Sequence, residues 1–459
     1  MENVKIFLLL WLAVLAQGPI PDARMEVYFV VDKSVIDRYV AEQTTGDSAT
    51  RLNNAMVSFN ADVDYFITEI NKMYASLRPM GLCIEILKKR LDVLNINVFS
   101  DNVNHFVAIA AFDNWLANST VAYDAAILWT WQNFQTAGVT HASHVCRSVN
   151  ASGVVLYDMT YGVAIYTAHE LGHLMGANHD PDYINGYVME ASASTLHTNR
   201  WSFSMYSKYA FDTLLAIPSY RCLSVTSSGL TVPSAAVTDA LADPDTICRR
   251  ARKNKRSFMC KSPRSYGNRV PQGDWVCNQI WCREVNTNRC HATFPSDGLI
   301  CGTNKRCNRG RCQDHPDAES AIVDPNCIWG DQAEISLVFS DNYRYEGDCA
   351  RFIDMFGSNM CYYTVVALGC CETCHKLHTG INGCEYGDLH PHCNRSTKAG
   401  VCDCYSEFCC LFCQGYKKKR SSASTRSLSG VTTKVIDDLI AIPDEPYTKQ
   451  TPRREDVLT

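Results

Sequence analysis

Apolar positions in the first half of the chain fall into two spacings. Met25 to Val31 (MEVYFVV) is a nearly unbroken apolar run that stops at Asp32, which predicts a strand. From Asn54 to Ser76 the apolar residues recur at Met56, Phe59, Val63, Phe66, Ile67, Ile70 and Met73. Steps of three and four put them on one face of a helix. Gly81 to Leu87 (GLCIEIL) reads as a second strand, Tyr123 to Phe134 as a second helix, and Ser152 to Asp158 (SGVVLYD) as a third strand. A further helix carries AHELGHLMGANHD, Ala168 to Asp180. Strands alternating with helices over about 200 residues predict one mixed α/β domain.

Both ends of the chain depart from this pattern. MENVKIFLLLWLAVLAQG places Lys5 ahead of an apolar run from Ile6 to Ala16, too short to span a bilayer well. With the small residues Ala16 and Gly18, it reads as a signal peptide over residues 1–18, followed by a short segment over 19–24. No later stretch is long and apolar enough to be a transmembrane helix, so a secreted, extracellular product is expected. After Cys413 come the basic run YKKKR and a Ser/Thr-rich tail, and residues 416–459 are read as basic, then disordered.

Cysteine usage divides the chain. Of 24 cysteines, only Cys83, Cys146 and Cys222 precede residue 248; eight lie in 248–312 and thirteen in 327–413. In an oxidising compartment, such density replaces a large apolar core with a disulfide framework. The expected layout is a domain over 25–230, a linker with a basic run over 231–256, and cysteine-rich modules over 257–314 and 315–415. Asn118, Asn150 and Asn394 begin glycosylation sequons. The formal charge of -5 gives no general attraction to nucleic acid or anionic membranes. Within the basic run Ile247 to Arg256, Arg249 to Arg252 fits a convertase cleavage site, as does Lys417 to Arg420; these basic residues also fit a polyanionic glycan surface or plain solvated charge.

The chemistry lies in the histidine stretch. His169 and His173 are four apart, so a helix presents both imidazoles on one face. Two such nitrogens suit one zinc ion. Glu170 projects to the side, where it can take a proton from water rather than bind the metal. Gly176 can end the helix with a positive φ and let the chain bring His179 to the same ion. Three protein ligands leave a fourth position open, as in catalytic rather than structural zinc sites. The bland alternative is an amphipathic helix with surface histidines, but Gly176 and His179 at their fixed offsets count against it.

H-E-x-x-H-x-x-G-x-x-H-D resembles the metzincin zinc endopeptidases, and Asp180 directly after the third histidine resembles their reprolysin (adamalysin) branch. The resemblance covers most of residues 25–225. It implies an α/β (α+β) catalytic domain with a mixed twisted sheet and long helices. It also implies a methionine turn at Met189, in GYVMEAS, and a main disulfide between Cys146 and Cys222. YDAAILWTWQNF would be the helix before a substrate-binding edge strand near Thr136 to His144. Glu26 and Asp124 match the calcium ligands of the family, but its asparagine three residues after the last cysteine is Val225 here. The branch carries a long pro-domain whose cysteine blocks the metal. Here few residues precede the first strand, which leaves latency absent, handled otherwise, or encoded beyond this sequence. Cys83, in an apolar strand, reads as a buried thiol or disulfide partner rather than as that blocking cysteine.

In the second half, C-x-x-x-W-C, D-G-x-x-C-G and C-x-x-G-x-C between Cys277 and Cys312 resemble the disintegrin-like and cysteine-rich modules of secreted ADAM-with-thrombospondin-motif proteases. No Arg-Gly-Asp tripeptide and no thrombospondin repeat is present. CCETCH, Cys370 to His375, reads as disulfide cysteines rather than a zinc finger. If Cys146 pairs with Cys222, parity leaves Cys83 and one terminal cysteine. The overall layout is most similar to tick salivary metalloproteases. That implies a secreted zinc endopeptidase cleaving host fibrinogen, fibrin or matrix proteins. The rivals are a non-catalytic binding protein acting through its cysteine-rich half, and an endogenous matrix-remodelling protease.

Overall fold

The computed structural model describes residues 23–415, apart from 193–198, 226, 262–272, 286–288, 319–326, 341–342, 390–392, 394–401 and 403–407. The signal segment, the tail with Lys417 to Arg420, and Asn394 lie outside the described residues.

Strand β1 (Ala23–Val31) is an inner strand of a five-stranded sheet. Its neighbours are β2 (Ile84–Val93) and β3 (Ala125–Thr130), both parallel to it. Beyond β3 lies β5 (Ser152–Leu156), also parallel, and β4 (Gly138–Thr140) closes the edge antiparallel to β5. Side chains alternate across this sheet with a period of two. Val27, Phe29, Ile127, Trp129 and Val155 enter the large core on one face. Tyr28, Val30, Ala126, Leu128 and Val154 enter a second core on the other.

Four helices pack around the sheet. They are α1 (Lys33–Glu42), the 27-residue α2 (Ser48–Tyr74), α3 (His105–Leu116) and α4 (Gly162–Leu174). Asp32, Asp47 and Asn104 cap the first three by accepting backbone N–H bonds in the first turn. Helix α4 carries the histidines and is held from three directions. Trp129 Nε1 donates to Thr167 Oγ1 (2.9 Å), Tyr74 Oη to Ala168 O (3.2 Å), and Tyr161 Oη, just before the helix, to Glu69 Oε2 (2.9 Å).

One element differs in kind from the sequence reading. The segment Tyr123 to Phe134, read as a helix, contains strand β3, and the helix ahead of the edge strand is α3. AAILWT is buried at every position. A short all-apolar run buried on both faces is the mark of an inner parallel strand, which helix periodicity cannot distinguish from a buried helix turn.

Beyond α5 (Met205–Leu215), the stretch read as a linker forms two short helices, α6 (Asp239–Ala242) and α7 (Pro244–Ala251). Arg250 of α7 is only 3% exposed. Its Nε and Nη2 each donate to Glu42 at 2.9 Å, and its Nη1 donates to Asp62 Oδ2 (3.0 Å) and Met159 O (3.1 Å). A convertase reading of Arg249 to Arg252 conflicts with this, because the second arginine of the site is sealed inside the protein.

The cysteine-rich half is built from small pieces. Helix α8 (Asp274–Asn278) precedes the hairpin β6 (Ile280–Arg283) with β7 (Cys290–Thr293). An antiparallel sheet of β8 (Ile300–Gly302), β9 (Lys305–Asn308) and β10 (Arg311–Asp314) follows. Disulfides 248–282, 260–290, 277–307 and 301–312 close this module on itself. A terminal module holds the hairpin β11 (Ile335–Ser340) with β12 (Tyr343–Gly347) and helices α9 (Cys349–Phe356), α10 (Thr364–Gly369) and α11 (Cys371–Lys376). Six further disulfides, 327–371, 349–370, 361–374, 384–410, 393–409 and 402–413, stay within it. Each cysteine of the CCETCH stretch is thus a disulfide cysteine. Cys83 is buried beside β2, at the sheet edge away from β4. Cys404 lies outside the described residues.

The first module docks on the domain that holds the five-stranded sheet. Tyr65 Oη of α2 donates to Asp297 O (2.9 Å), and Arg309 Nη2 donates to Lys72 O (3.1 Å). The Asp297 carboxylate accepts two bonds from the Arg309 N–H, at 2.8 and 3.0 Å. Burial, and then nearby Glu69, push its pKa up to about 7.

Two predictions follow from these contacts. Arg250→Met leaves the buried Asp62 carboxylate without its guanidinium and is expected to cost about 3–5 kcal/mol in denaturant unfolding. Asp297 binds its proton more tightly folded than unfolded, so its contribution is full at low pH and lost as pH rises towards about 7. Asp297→Asn is expected to flatten that part of the profile of melting temperature against pH.

Candidate metal centre

Helix α4 places His169 and His173 one turn apart. Its C-terminus then closes in a Schellman arrangement. Gly176 N–H donates to His173 O (2.8 Å), Ala177 N–H donates to Gly172 O (3.0 Å), and Gly176 sits at φ +85°. A side chain is strained at that φ, so glycine is what lets the chain reverse and return His179 to the helix. Ligand atoms of His169, His173 and His179 all lie within 4.8 Å of one another.

The outer ring nitrogens are committed elsewhere. His169 Nδ1 lies 2.7 Å from Val188 O, and His173 Nδ1 lies 2.7 Å from Ala177 O. A carbonyl only accepts, so both Nδ1 atoms carry protons and both Nε2 atoms present lone pairs. His173 Nε2 and His179 Nε2 are 3.2 Å apart. Burial lowers His169 to about 3 and His173 to about 4, and lowers His179 as well, so the rings are neutral at physiological pH. With His173 Nε2 unprotonated, His179 Nε2 can donate to it, and in its other tautomer His179 turns a third lone pair towards a shared cation. The donor set fits a zinc ion.

Glu170 is 5% exposed, and burial raises its carboxyl to about 8. It lies against edge strand β4. A Cβ added to Gly138 would stand 2.2 Å from Glu170 Oε1. Gly138 escaped the sequence reading, although glycine within a strand often marks such a close approach. The outer edge of β4 has no neighbouring strand among the described residues, leaving backbone groups for a peptide to pair with.

Met189 is fully buried beneath the helix, where a Cβ at Gly172 would meet its Sδ at 2.6 Å. Its carbonyl accepts from Asp180 N–H (2.8 Å). The Asp180 carboxylate accepts from the hydroxyl of Ser204, which caps α5. The aspartate after the third histidine therefore ties the returning chain to the methionine turn and to the next helix. Cys146 and Cys222 are bonded to each other. Asn118 and Asn150 are exposed on the surface.

The calcium expectation meets a different arrangement. Glu26 N–H donates to Asp124 Oδ2 (2.8 Å), so the two acids adjoin. The Glu26 carboxylate is already paired with Lys89 Nζ (2.6 Å) and accepts from Ser227 N–H and Oγ. Burial pushes Glu26 up, but these bonds outweigh it and hold it below its ordinary value. Burial raises Asp124 to about 6. Val225, at the asparagine position, is 73% exposed and offers no side-chain oxygen. The Glu26 carboxylate is thus already neutralised by Lys89 and Val225 adds no oxygen, so these residues do not fit calcium. The other clusters of metal-ligand type among the described residues each include a disulfide-bonded cysteine pair, which leaves the three histidines.

Sheet order, histidine helix and buried methionine together describe the fold class of a metzincin catalytic domain followed by cysteine-rich modules. Residues 25–226 match the model of the Reprolysin (M12B) family zinc metalloprotease. The chain is 26% identical over 241 residues to "A disintegrin and metalloproteinase with thrombospondin motifs 19" of Homo sapiens, covering 47% of this chain and 18% of that protein. It is 25% identical over 309 residues to the human protein numbered 18 in the same series, covering 63% and 23%. It is 26% identical over 202 residues to "A disintegrin and metalloproteinase with thrombospondin motifs like" of Bombyx mori, covering 39% and 27%. The chain thus aligns with about a fifth to a quarter of the length of these curated relatives. At the level of family, the matches support a reprolysin-type zinc metalloprotease. No helix among the described residues is long and apolar enough to cross a membrane.

With zinc held constant, millimolar Ca²⁺ is expected to leave the melting temperature of the protein unchanged. Lys89→Ala, which frees the two acids, is expected to gain a Ca²⁺-dependent rise. Stabilisation of the parent by Ca²⁺ would restore the ion site.

Proposed function

We propose that the chain is a zinc-dependent endopeptidase acting on extracellular proteins. His169, His173 and His179 hold the metal through Nε2, and the convergence of these three lone pairs beside a buried carboxylate carries the reading. When bound, zinc supplies Lewis-acid polarisation of the scissile carbonyl and lowers the pKa of the attacking water.

The chain's own residues do the rest. A substrate segment pairs with the outer edge of β4 in extended form, which lays its backbone across the histidines. Glu170 takes the proton of the attacking water on a carboxylate oxygen and then delivers it to the nitrogen of the leaving amine. Gly138 keeps that carboxylate against the strand on which the peptide lies. Met189 packs under the ligand helix without touching substrate.

The apolar N-terminal run and the disulfide-rich second half support secretion. The order of a protease domain, a disintegrin-like module and a cysteine-rich module resembles tick salivary metalloproteases, and on that resemblance the proposed substrates are host fibrinogen, fibrin or matrix proteins in a salivary anti-haemostatic role. Sequons Asn118, Asn150 and Asn394 are the proposed glycan sites. The exposed basic residues near Lys253 to Arg256 offer a surface for polyanionic glycans.

The purified secreted protein is expected to contain one zinc and to cut fibrinogen or gelatin. Glu170→Ala is expected to keep the zinc and lose at least about 10²–10⁴-fold in rate. Gly138→Ala, which pushes the same carboxylate aside, is expected to retain zinc and lose about 10²-fold. A folded, zinc-loaded parent that cuts nothing across broad substrates would overturn the protease reading in favour of a binding protein.

A further inference from the structure

The segment after the methionine turn is buried under the first cysteine-rich module. Arg200 and Trp201 are 3% and 2% exposed. Arg200 Nη2 donates to the carbonyls of Cys277 (3.3 Å) and Asn278, both in the module. Its guanidinium lies 4.2 Å from the ring centroid of Trp201 and 5.5 Å from that of Phe294, another module residue. Module residue Gly310 is flush against Trp201, since a Cβ there would stand 2.5 Å from the indole. Phe294 in turn meets Tyr166 of the ligand helix edge-on, with ring centroids 6.3 Å apart.

This contact connects to the metal centre through backbone groups. Two residues beyond Arg200, Ser202 O accepts from Val188 N–H (3.0 Å). Val188 O accepts from His169 Nδ1 (2.7 Å). The bond that orients the first imidazole therefore comes from the carbonyl of a residue whose own N–H is tied to the module-clamped segment. Partners in this position set ring orientation and tautomer, and their loss costs about 10–100-fold in metal affinity.

We propose that Arg200 is a positioning residue for the metal centre. By docking on the Cys277 and Asn278 carbonyls it fixes the 200–202 segment, hence Val188, hence the His169 imidazole. The cysteine-rich module is then a working part of the zinc site. The proposal rests on the three histidines holding zinc. It concerns a residue remote from substrate and from the metal.

The test uses the full secreted chain and measures zinc affinity by competition with a chromophoric chelator, alongside melting temperature. Arg200→Ala is compared with Arg309→Ala, which breaks a module contact to Lys72 O on α2 rather than to the 200–202 segment. Arg200→Ala is expected to loosen zinc about tenfold or more. Arg309→Ala is expected to lower the melting temperature and leave zinc affinity as in the parent. Should Arg200→Ala fail to fold, Arg200→Lys and Phe294→Leu take its place, with graded losses of affinity expected. Parent-like affinity in the Arg200 and Phe294 variants overturns the proposal, as does equal loosening by Arg309→Ala. A parent that binds no zinc overturns the metalloprotease reading itself, so the two failures are distinct.

Discussion

Three neutral imidazoles converge on one point, and two of their nitrogens, His173 Nε2 and His179 Nε2, stand 3.2 Å apart. In the protein alone one of that pair can donate to the other, whereas a shared cation takes a lone pair from all three. A chain that uses the site in this way must hold the three rings in fixed places. Much of the first domain can be understood as that restraint. The ligand helix is pinned by Trp129, Tyr74 and Tyr161, and ended sharply at Gly176. The rings are oriented by Val188 and Ala177 carbonyls. Close packing keeps the floor rigid, since Gly172 leaves Met189 just enough room and nothing larger would fit.

How much of this could be read beforehand depended on whether an interaction was local. The histidines were legible because helical geometry converts a four-residue spacing into a shared face, and because only a few residues reverse the chain at positive φ. Gly138 was not, because its reason is a carboxylate thirty-two residues further along. AAILWT was misread because a doubly buried strand and a buried helix turn share one composition, and only the neighbours β1 and β5 decide between them. Arg250 looked like solvent-facing charge in a basic run. Its partners Glu42 and Asp62 are some two hundred residues away, beyond any local pattern.

The cysteine-rich half shows a similar split. Density and parity pointed to disulfides, and the cysteines of 248–312 do pair among themselves. The pairing order, the docking face and the part played by backbone carbonyls at Cys277 and Asn278 are tertiary facts. Glu26 and Asp124 give the converse lesson. Two residues matched a family's ion ligands, yet Lys89 from the next strand fills their charge requirement. A ligand pattern is informative only when the cation that would meet it has no competitor within the chain.

The module's hold on Arg200 has a consequence for biogenesis. A chain emerges from its N-terminus, and domains tend to settle in that order. The five-stranded sheet needs only residues up to Leu156, but the Cys277 and Asn278 carbonyls that Arg200 bonds come later in the chain, in a module closed by its own disulfides. The segment beside the histidines therefore gains its module contacts last. Completion of the site becomes coupled to disulfide formation downstream, and a molecule whose second half is still reduced carries an unfinished histidine site.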